Sequence, residues 1–140
     1  MNTDLRYFLW LIPPAKIGQQ LMTMIQQLSQ RFSSPLFEPH ITLLANIEGA
    51  EEEIILTAQE LAKVILPLKV RLTSLDDRDN FYMSLFIHVE GEEPIMDAHQ
   101  KAAAIFMRTP DEEFSPHLSL LYGDFPKPIK ENIICEIRTM

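Results

Sequence analysis

The sequence predicts an α+β fold built from two related lobes. The chain contains segments with the apolar period of a strand and segments with the period of a helix, and two successive strand segments are expected to pair as an antiparallel hairpin. One strand-like motif also occurs twice: residues 38–44 read Glu-Pro-His-Ile-Thr-Leu-Leu, and residues 115–121 read Ser-Pro-His-Leu-Ser-Leu-Leu. An aromatic residue, Phe37 or Phe114, precedes each copy. The repetition indicates that each lobe contributes one strand of the same kind.

The individual elements follow from periodicity and from the residues that break it. Residues 5–12 are rich in aromatic and branched side chains and end at a proline pair, which is typical of a buried strand. Residues 15–32 form a helical stripe of apolar positions before the break at Ser33-Ser34-Pro35. The same reasoning places strands at 40–46, 68–73, 81–89 and 117–122, and helices at 51–66, 94–106 and 126–137. The strands at 68–73 and 81–89 are expected to form a hairpin around a turn at 76–80.

Length and composition are those of one ordinary domain. The chain has 140 residues, 46% of them hydrophobic and 23% charged, and no stretch resembles a linker. One domain over residues 1–140 is therefore expected. The single cysteine, Cys135, excludes an intrachain disulfide, and no segment approaches the roughly 20 apolar residues of a spanning helix. These features predict a cytoplasmic protein without a membrane anchor.

The net charge of -8 constrains the class of ligand. Long nucleic acids are bound largely through clustered lysine and arginine, and this chain has no such cluster. Long nucleic acid is therefore not an expected partner. A small anionic ligand held by a few local groups fits the charge better.

The repeated motif places a ring and a hydroxyl on one face of each strand. Alternate side chains of a strand share a face, so His40 is expected to point the same way as Thr42, and His117 the same way as Ser119. The intervening residues Ile41 and Leu118 then face the interior. Proline is tolerated at the first residue of a strand, because its missing N–H falls outside the ladder.

Two such units supply the groups needed to open a cyclic phosphodiester. One group takes a proton from water, and another gives a proton to the leaving oxygen. Histidine suits both tasks because its pKa is close to neutral pH. The hydroxyl groups can donate hydrogen bonds to the phosphate oxygens that carry the charge. We therefore assign catalysis to His40 and His117 and phosphate binding to Thr42 and Ser119.

The other two histidines are expected to lie at the surface or at its boundary. His88 belongs to the more polar face of its predicted strand, and His99 lies on a helix. Neither has the spacing of a metal ligand, and the chain has no cysteine cluster and no glycine-rich phosphate loop. No metal site and no cofactor are therefore predicted.

The paired motifs resemble those of the two-histidine (2H) phosphoesterase superfamily. Within this superfamily, the sequence around the motifs is most similar to that of the cyclic phosphodiesterases of plants and yeast. The similarity also includes residues 7–13, 37–42, 81–85 and 115–123. This resemblance implies two antiparallel sheets that line a central cleft, related by a pseudo-two-fold, with helices outside and no required metal.

The resemblance also implies a reaction and a division of roles. It implies hydrolysis of nucleoside 2′,3′-cyclic phosphates or of ADP-ribose 1″,2″-cyclic phosphate to a phosphomonoester. His117 would activate water, and His40 would protonate the leaving oxygen. Trp10, Phe81 and Tyr122 match aromatic positions near the cleft of the family. By simple alternation Tyr122 lies off the face of His117, so it reaches the cleft only if the strand twists or bulges before Gly123.

The sequence leaves the exact activity and the completeness of the second lobe open. An RNA-end-processing or 2′-5′ phosphodiesterase, or a nucleotide-binding module without turnover, would use the same fold. Family members usually continue past the second motif into further elements, whereas this sequence ends soon after Gly123. Either the lobe is minimal, or the chain is truncated, or a partner chain completes the sheet and makes an oligomer.

Overall fold

The computed structural model describes residues 5–65, 67–90 and 93–138. Its strands are β1 (Tyr7–Leu11), β2 (Ile41–Ile47), β3 (Leu72–Asp76), β4 (Leu85–Val89) and β5 (His117–Leu121). Its helices are α1 (Ala15–Phe32), α2 (Glu51–Val64), α3 (Glu93–Ile105) and α4 (Lys127–Arg138), with a single 3-10 turn at Phe81–Met83. The ends of the predicted domain, 1–4 and 139–140, and the predicted helix end at 66 lie outside these residues.

The described strands join in one sheet in the order β1-β2-β5-β4-β3. The pairings of β2 with β5, of β5 with β4 and of β4 with β3 are antiparallel. The predicted α+β class is therefore confirmed, whereas the arrangement as two sheets lining a cleft stays a prediction. None of the helices in the described ranges is long and apolar enough to cross a membrane.

The helices begin and end where the sequence chemistry places them. The predicted stripe of α1 is confirmed over 15–32, and its buried members include Leu21, Ile25 and Leu28. Ser33 ends the helix in the left-handed conformation, and its backbone N–H donates to the Ser29 carbonyl. Helix α2 opens on three glutamates, whose charge is favourable at a helix N-terminus.

The hairpin between β3 and β4 forms, but its strands differ from the predicted ranges. Strand β3 covers 72–76 rather than 68–73, and the predicted strand at 81–89 begins with the 3-10 turn. The Asn80 side chain explains this turn, because it accepts a hydrogen bond from the backbone N–H of Tyr82. The N–H of Met83 donates to the Asn80 carbonyl, which completes the turn. Asx side chains compete in this way with the ladder of a strand.

The chain divides into two compact units, the first made of residues 1–11, 42–71 and 90–116. Its core combines branched side chains of β2 and α2 with the small residues of α3: Leu43, Leu44, Ile47, Ile54, Leu61, Ala98, Ala102 and Ala103. The three alanines of α3 leave space for close packing against α2.

His99 of this first unit is buried, so its predicted surface or boundary position was wrong. Its Nδ1 lies 2.8 Å from the Leu43 carbonyl oxygen, and its Nε2 accepts the Asp111 N–H at 3.1 Å. Since Nε2 accepts a hydrogen bond, it carries no hydrogen, and Nδ1 must donate to the Leu43 carbonyl. The ring also stacks on Phe114, with centroids 4.0 Å apart. His99 thus fixes the loop that precedes the second histidine motif.

The second unit comprises residues 12–41, 72–89 and 117–140, with α1 packed against β5. Lys130 of α4 is buried, and its Nζ donates to the Arg78 carbonyl at 3.0 Å. The same ammonium group lies 3.8 Å from the Asp77 carboxylate. A buried ammonium group needs such partners, so Lys130 ties α4 to the loop between β3 and the 3-10 turn.

Gly123 follows β5 in a conformation that side chains rarely adopt. Its φ is 140°, and its N–H donates to the Phe81 carbonyl at 2.8 Å. A Cβ atom at this position would overlap the Phe125 ring. Glycine is therefore required to end β5 and to turn the chain here.

We expect Gly123→Ala to lower the free energy of unfolding by about 1–3 kcal/mol, because it combines strain with a clash. Urea unfolding measures the difference. Gly18→Ala is the matched control: a Cβ atom in α1 would meet Pro13 at an ordinary 3.7 Å, and alanine favours a helix by about 1 kcal/mol. Equal stability of the two variants would contradict the special role of Gly123.

Candidate active site

Three of the four predicted chemical groups belong to the second unit: His40, His117 and Ser119. The register pairs Ile41 directly with Leu118 across the antiparallel strands. Counting one residue outwards from this pair, His40 lies beside Ser119. His117 is then the diagonal neighbour of His40, at about 7–8 Å between backbones. The register therefore makes the two histidines near neighbours on one face of the sheet.

His40 is buried, with 7% of its surface exposed, just before β2. Its Nδ1 lies 2.7 Å from the Glu38 carbonyl oxygen. A carbonyl can only accept, so Nδ1 carries the hydrogen and Nε2 is the nitrogen that exchanges protons in the neutral ring. Burial lowers the pKa of His40, the carbonyl bond opposes this, and the nearby His117 lowers it further.

His117 is the first residue of β5 and is only half-buried. The Phe86 ring meets it in an edge arrangement, with centroids 5.4 Å apart. The residue directly opposite it on β4 is His88. The two catalytic candidates thus differ in environment although their motifs are alike.

The hydroxyl groups occupy different situations. Ser119 is buried, and its Oγ donates to the Tyr82 carbonyl at 2.8 Å. A phosphate oxygen would therefore have to replace that carbonyl as the acceptor. Thr42 lies on β2, is half-buried, and belongs to the first unit. Its role as a phosphate ligand stays a prediction.

Four aromatic rings gather next to His40 within the second unit. Phe37 stacks on Tyr122, with centroids 3.8 Å apart, and meets the His40 ring in an edge arrangement, with centroids 6.4 Å apart. Phe81 and Tyr82 pack against Tyr122 from 6.3 Å and 5.3 Å. Burial raises the pKa of Tyr122, and Tyr82 adds to the effect. Tyr122 reaches this cluster because β5 ends at Leu121, before the turn at Gly123.

Trp10 is 43% exposed on β1 of the first unit, so it is not a core residue there. Phe81 and Tyr122 therefore belong to one aromatic cluster of the second unit, whereas Trp10 belongs to the first unit. Its predicted contact with substrate stays a prediction.

Sequence reasoning missed two members of this region, Phe37 and His88. The signal for Phe37 was available, because an aromatic precedes both copies of the motif. No comparable signal existed for His88, since its position opposite His117 depends on the register of β4 against β5. Its side chain is half-buried and bonded to Asp76, which fits a boundary position but adds a specific partner.

Within residues 5–65, 67–90 and 93–138, no cluster of three or more histidine, cysteine, aspartate or glutamate side chains could hold a metal ion.

The sequence is similar to proteins of known name. A model of the family described as "Cyclic phosphodiesterase-like protein" matches residues 6–140. The "Cyclic phosphodiesterase" of Arabidopsis thaliana is 24% identical over 133 residues, which cover 90% of this chain and 70% of the plant protein.

Two fungal proteins with the name "2′,3′-cyclic-nucleotide 3′-phosphodiesterase" are also similar. The protein of Yarrowia lipolytica is 38% identical over 90 residues, 59% of this chain but only 42% of the relative. The protein of Phaeosphaeria nodorum is 28% identical over 138 residues, 84% of this chain and 69% of the relative. These matches confirm the predicted enzyme class, a hydrolase of the phosphodiesterase type. With nearly its whole length matched by the family model, the chain belongs to the cyclic phosphodiesterase-like family.

Proposed function

We propose that the protein hydrolyses a cyclic phosphodiester to a phosphomonoester by acid and base catalysis between His40 and His117, without a metal ion. The observation that carries the proposal is the register of Ile41 with Leu118. It makes the two rings diagonal neighbours and sets a hydroxyl, that of Ser119, beside His40. The family and the names of the relatives support the same reaction.

The proposed step moves two protons. One imidazole takes a proton from water while the water oxygen bonds to phosphorus. The bond from phosphorus to one ring oxygen of the cyclic ester breaks, and the second imidazole protonates that oxygen. The enzyme then holds the two rings in exchanged protonation states, and proton exchange with solvent restores them.

The environments of the rings bear on their roles. We assign the acid to His40 and the base to His117. Burial lowers the pKa of His40 in the unliganded protein, which disfavours the protonated ring that an acid needs. A bound phosphodiester carries a negative charge, and such a charge beside His40 raises the pKa of the ring again. Substrate binding would thus prepare the acid.

Ser119 and Thr42 are proposed to hold the non-bridging phosphate oxygens. The Ser119 hydroxyl would leave the Tyr82 carbonyl for a charged acceptor, which forms the stronger hydrogen bond. As the charge on these oxygens rises in the transition state, donors fixed toward them lower the barrier.

The substrate class follows from the aromatic groups and the relatives. Nucleoside 2′,3′-cyclic phosphates and ADP-ribose 1″,2″-cyclic phosphate both join a cyclic phosphate to an aromatic base. Phe81 and Tyr122 would offer stacking surfaces to the base, with Trp10 as a further candidate. A two-lobed fold around a central cleft and a cytoplasmic location belong to the same proposal.

Turnover should survive a chelator. The test incubates the protein with EDTA and measures hydrolysis of the four nucleoside 2′,3′-cyclic monophosphates, ADP-ribose 1″,2″-cyclic phosphate and 2′-5′ oligoadenylate. Phosphorus NMR identifies which ester bond breaks. Unchanged rates are expected, because the proposed proton transfers need no metal. Loss of turnover that a divalent ion restores would contradict the mechanism, and exclusive cleavage of the oligoadenylate would favour the alternative 2′-5′ phosphodiesterase.

Removing either ring should cost about 10²–10⁴ in rate. The variants are His40→Ala, His117→Ala and the double substitution, with Gln26→Ala on the exposed face of α1 as the control. Since the two rings serve one step, the double variant should be barely slower than either single one. Folding is checked by circular dichroism, and kcat/KM is the measured quantity.

The pH profiles of the intact enzyme locate the two roles. With His40 as the acid, its loss of a proton produces the alkaline limb of kcat/KM, and this limb should move to higher pH in the kcat profile because bound phosphate raises the pKa of His40. Movement of the acidic limb alone would mean that His117 is the acid and His40 the base.

Near-normal turnover by folded His40→Ala or His117→Ala would contradict the proposed catalysis and would favour a nucleotide-binding module.

Thr42→Val and Ser119→Ala should each lower kcat/KM about ten- to a hundredfold. A hydrogen bond to a charged group contributes about 1.5–3 kcal/mol, and about 1.4 kcal/mol corresponds to a factor of ten. Ser84→Ala is the control. Its hydroxyl is buried in the same unit without a hydrogen-bond partner among the described residues, so its removal should leave the rate unchanged. Full activity of Ser119→Ala would show that its hydroxyl does not bind the phosphate.

A further inference from the structure

The face that carries His117 continues onto β4 and β3. The register pairs His117 with His88 and Ser119 with Phe86, and it pairs Phe86 with Asp76 on β3. Residues directly opposite in an antiparallel sheet have their side chains on the same face, with Cβ atoms about 4.5–5.5 Å apart. His88 is therefore the immediate neighbour of one of the two catalytic candidates.

Asp76 holds the His88 ring from the far side. The Nε2 atom of His88 lies 2.8 Å from Oδ2 of Asp76. A carboxylate accepts, so this ring nitrogen carries a hydrogen. The hydrogen bond from His88 lowers the pKa of Asp76, and the N–H of Asp77, which donates to its other carboxylate oxygen, lowers it further. The carboxylate is thus held in the charged form that stabilises a protonated His88.

Phe86 joins the two imidazoles. Its ring is fully buried and meets His88 and His117 edge-on, with centroids 5.0 Å and 5.4 Å away. The Arg78 guanidinium lies over the same ring, 5.6 Å from its centroid. The phenyl ring fixes the positions of both imidazoles but carries no proton. Any influence of His88 on the chemistry must therefore act through its charge.

We propose that His88, held by Asp76, is a positioning residue for His117: it takes up a proton in preference to its neighbour and so keeps His117 in the unprotonated state that a base requires. The inference rests on the proposed function for its consequence in catalysis. The competition between the two rings for a proton is a property of the unliganded protein.

The direction of the effect follows from the charges that face His117. Two imidazolium rings side by side repel each other, so protonation of one disfavours protonation of the other. Asp76 on β3 stabilises the charge on His88. Burial lowers the pKa of His40, so this ring adds little charge near His117. The Arg78 guanidinium lies over the Phe86 ring, which both imidazoles contact. The carboxylate at His88 thus makes that ring the preferred proton acceptor.

A purely structural role would be that of a clamp between β3 and β4. The half-exposed ion pair would then hold the hairpin and have no effect on the protonation of His117. The two roles differ in one measurable quantity, the pH at which His117 is half protonated.

NMR titration of the labelled histidine rings in the unliganded protein measures this midpoint. The variant is His88→Gln, whose amide can still donate to Asp76 but carries no charge. We expect the midpoint of His117 to rise by about 0.5–2 pH units, the range that dielectric constants of about 80 to 20 give for unit charges roughly 6 Å apart. An unchanged midpoint in the folded variant would overturn the proposal.

The charge of Asp76 offers a second test. In Asp76→Asn the amide oxygen can still accept the hydrogen bond from His88, but the charge that favours a proton on His88 is gone, so the midpoint of His117 should again rise. This variant decides the matter if His88→Gln does not fold, and an unchanged His117 midpoint there would overturn the proposal equally. Thr73→Val is the control: it removes the hydrogen bond of Thr73 to the His88 carbonyl without altering any charge, and should leave both midpoints in place.

The pH dependence of kcat/KM in His88→Gln separates this inference from the proposed function. In His88→Gln the acidic limb of kcat/KM should move to higher pH by the shift that NMR measures. If the rings are coupled by NMR but no cyclic phosphodiester is hydrolysed, the proposed function fails while the coupling stands. If hydrolysis proceeds and the midpoints are independent, the inference fails while the function stands.

Discussion

The contact on which the site depends is the antiparallel pairing of Ile41 with Leu118. These residues occupy the same position in the two copies of the repeated motif. The two motifs are therefore antiparallel, and this pair of apolar side chains lies at the centre of their pairing. Both are almost fully buried. Because successive side chains of a strand alternate, burying this pair turns the neighbouring histidines to the opposite face. A slip of one residue in register would move the rings to the face that the apolar pair now occupies.

The same strand pairing thus buries the apolar residues on one face of the sheet and places the polar residues on the other. Leu118 and Leu120 are almost completely buried, in the strand against which α1 packs. On the other face, His117 and Ser119 continue the row into His88 and Phe86 of β4. Ser119 is satisfied by the Tyr82 carbonyl, and that turn is set in place by Asn80. The 3-10 turn that interrupts the predicted strand is therefore part of the site.

Much of this could be predicted from the sequence, for reasons of local chemistry. Helix α1 was predicted to its ends because a stripe of apolar residues is bounded by prolines. His40 and His117 stood out because their surroundings repeat. The extents of β3 and β4 were predicted wrongly, since alternating residues continue through a turn that only the Asn80 side chain enforces. His99 was misplaced because its burial depends on the Leu43 carbonyl and on Phe114, which are distant in sequence. The position of His88 depends likewise on long-range register.

The unequal exposure of the two rings has a consequence for direction. Two similar motifs meeting head to head would by themselves form a nearly symmetric environment, in which a phosphate could be approached from either side by the same residue types. A hydrolytic step is not symmetric, because one oxygen enters and another leaves. His40 is buried and tied to a carbonyl, whereas His117 is half-buried beside a second imidazole. These differences break the equivalence of the repeats, so in the proposed reaction the direction would be set by the surroundings of the histidines rather than by the motif itself.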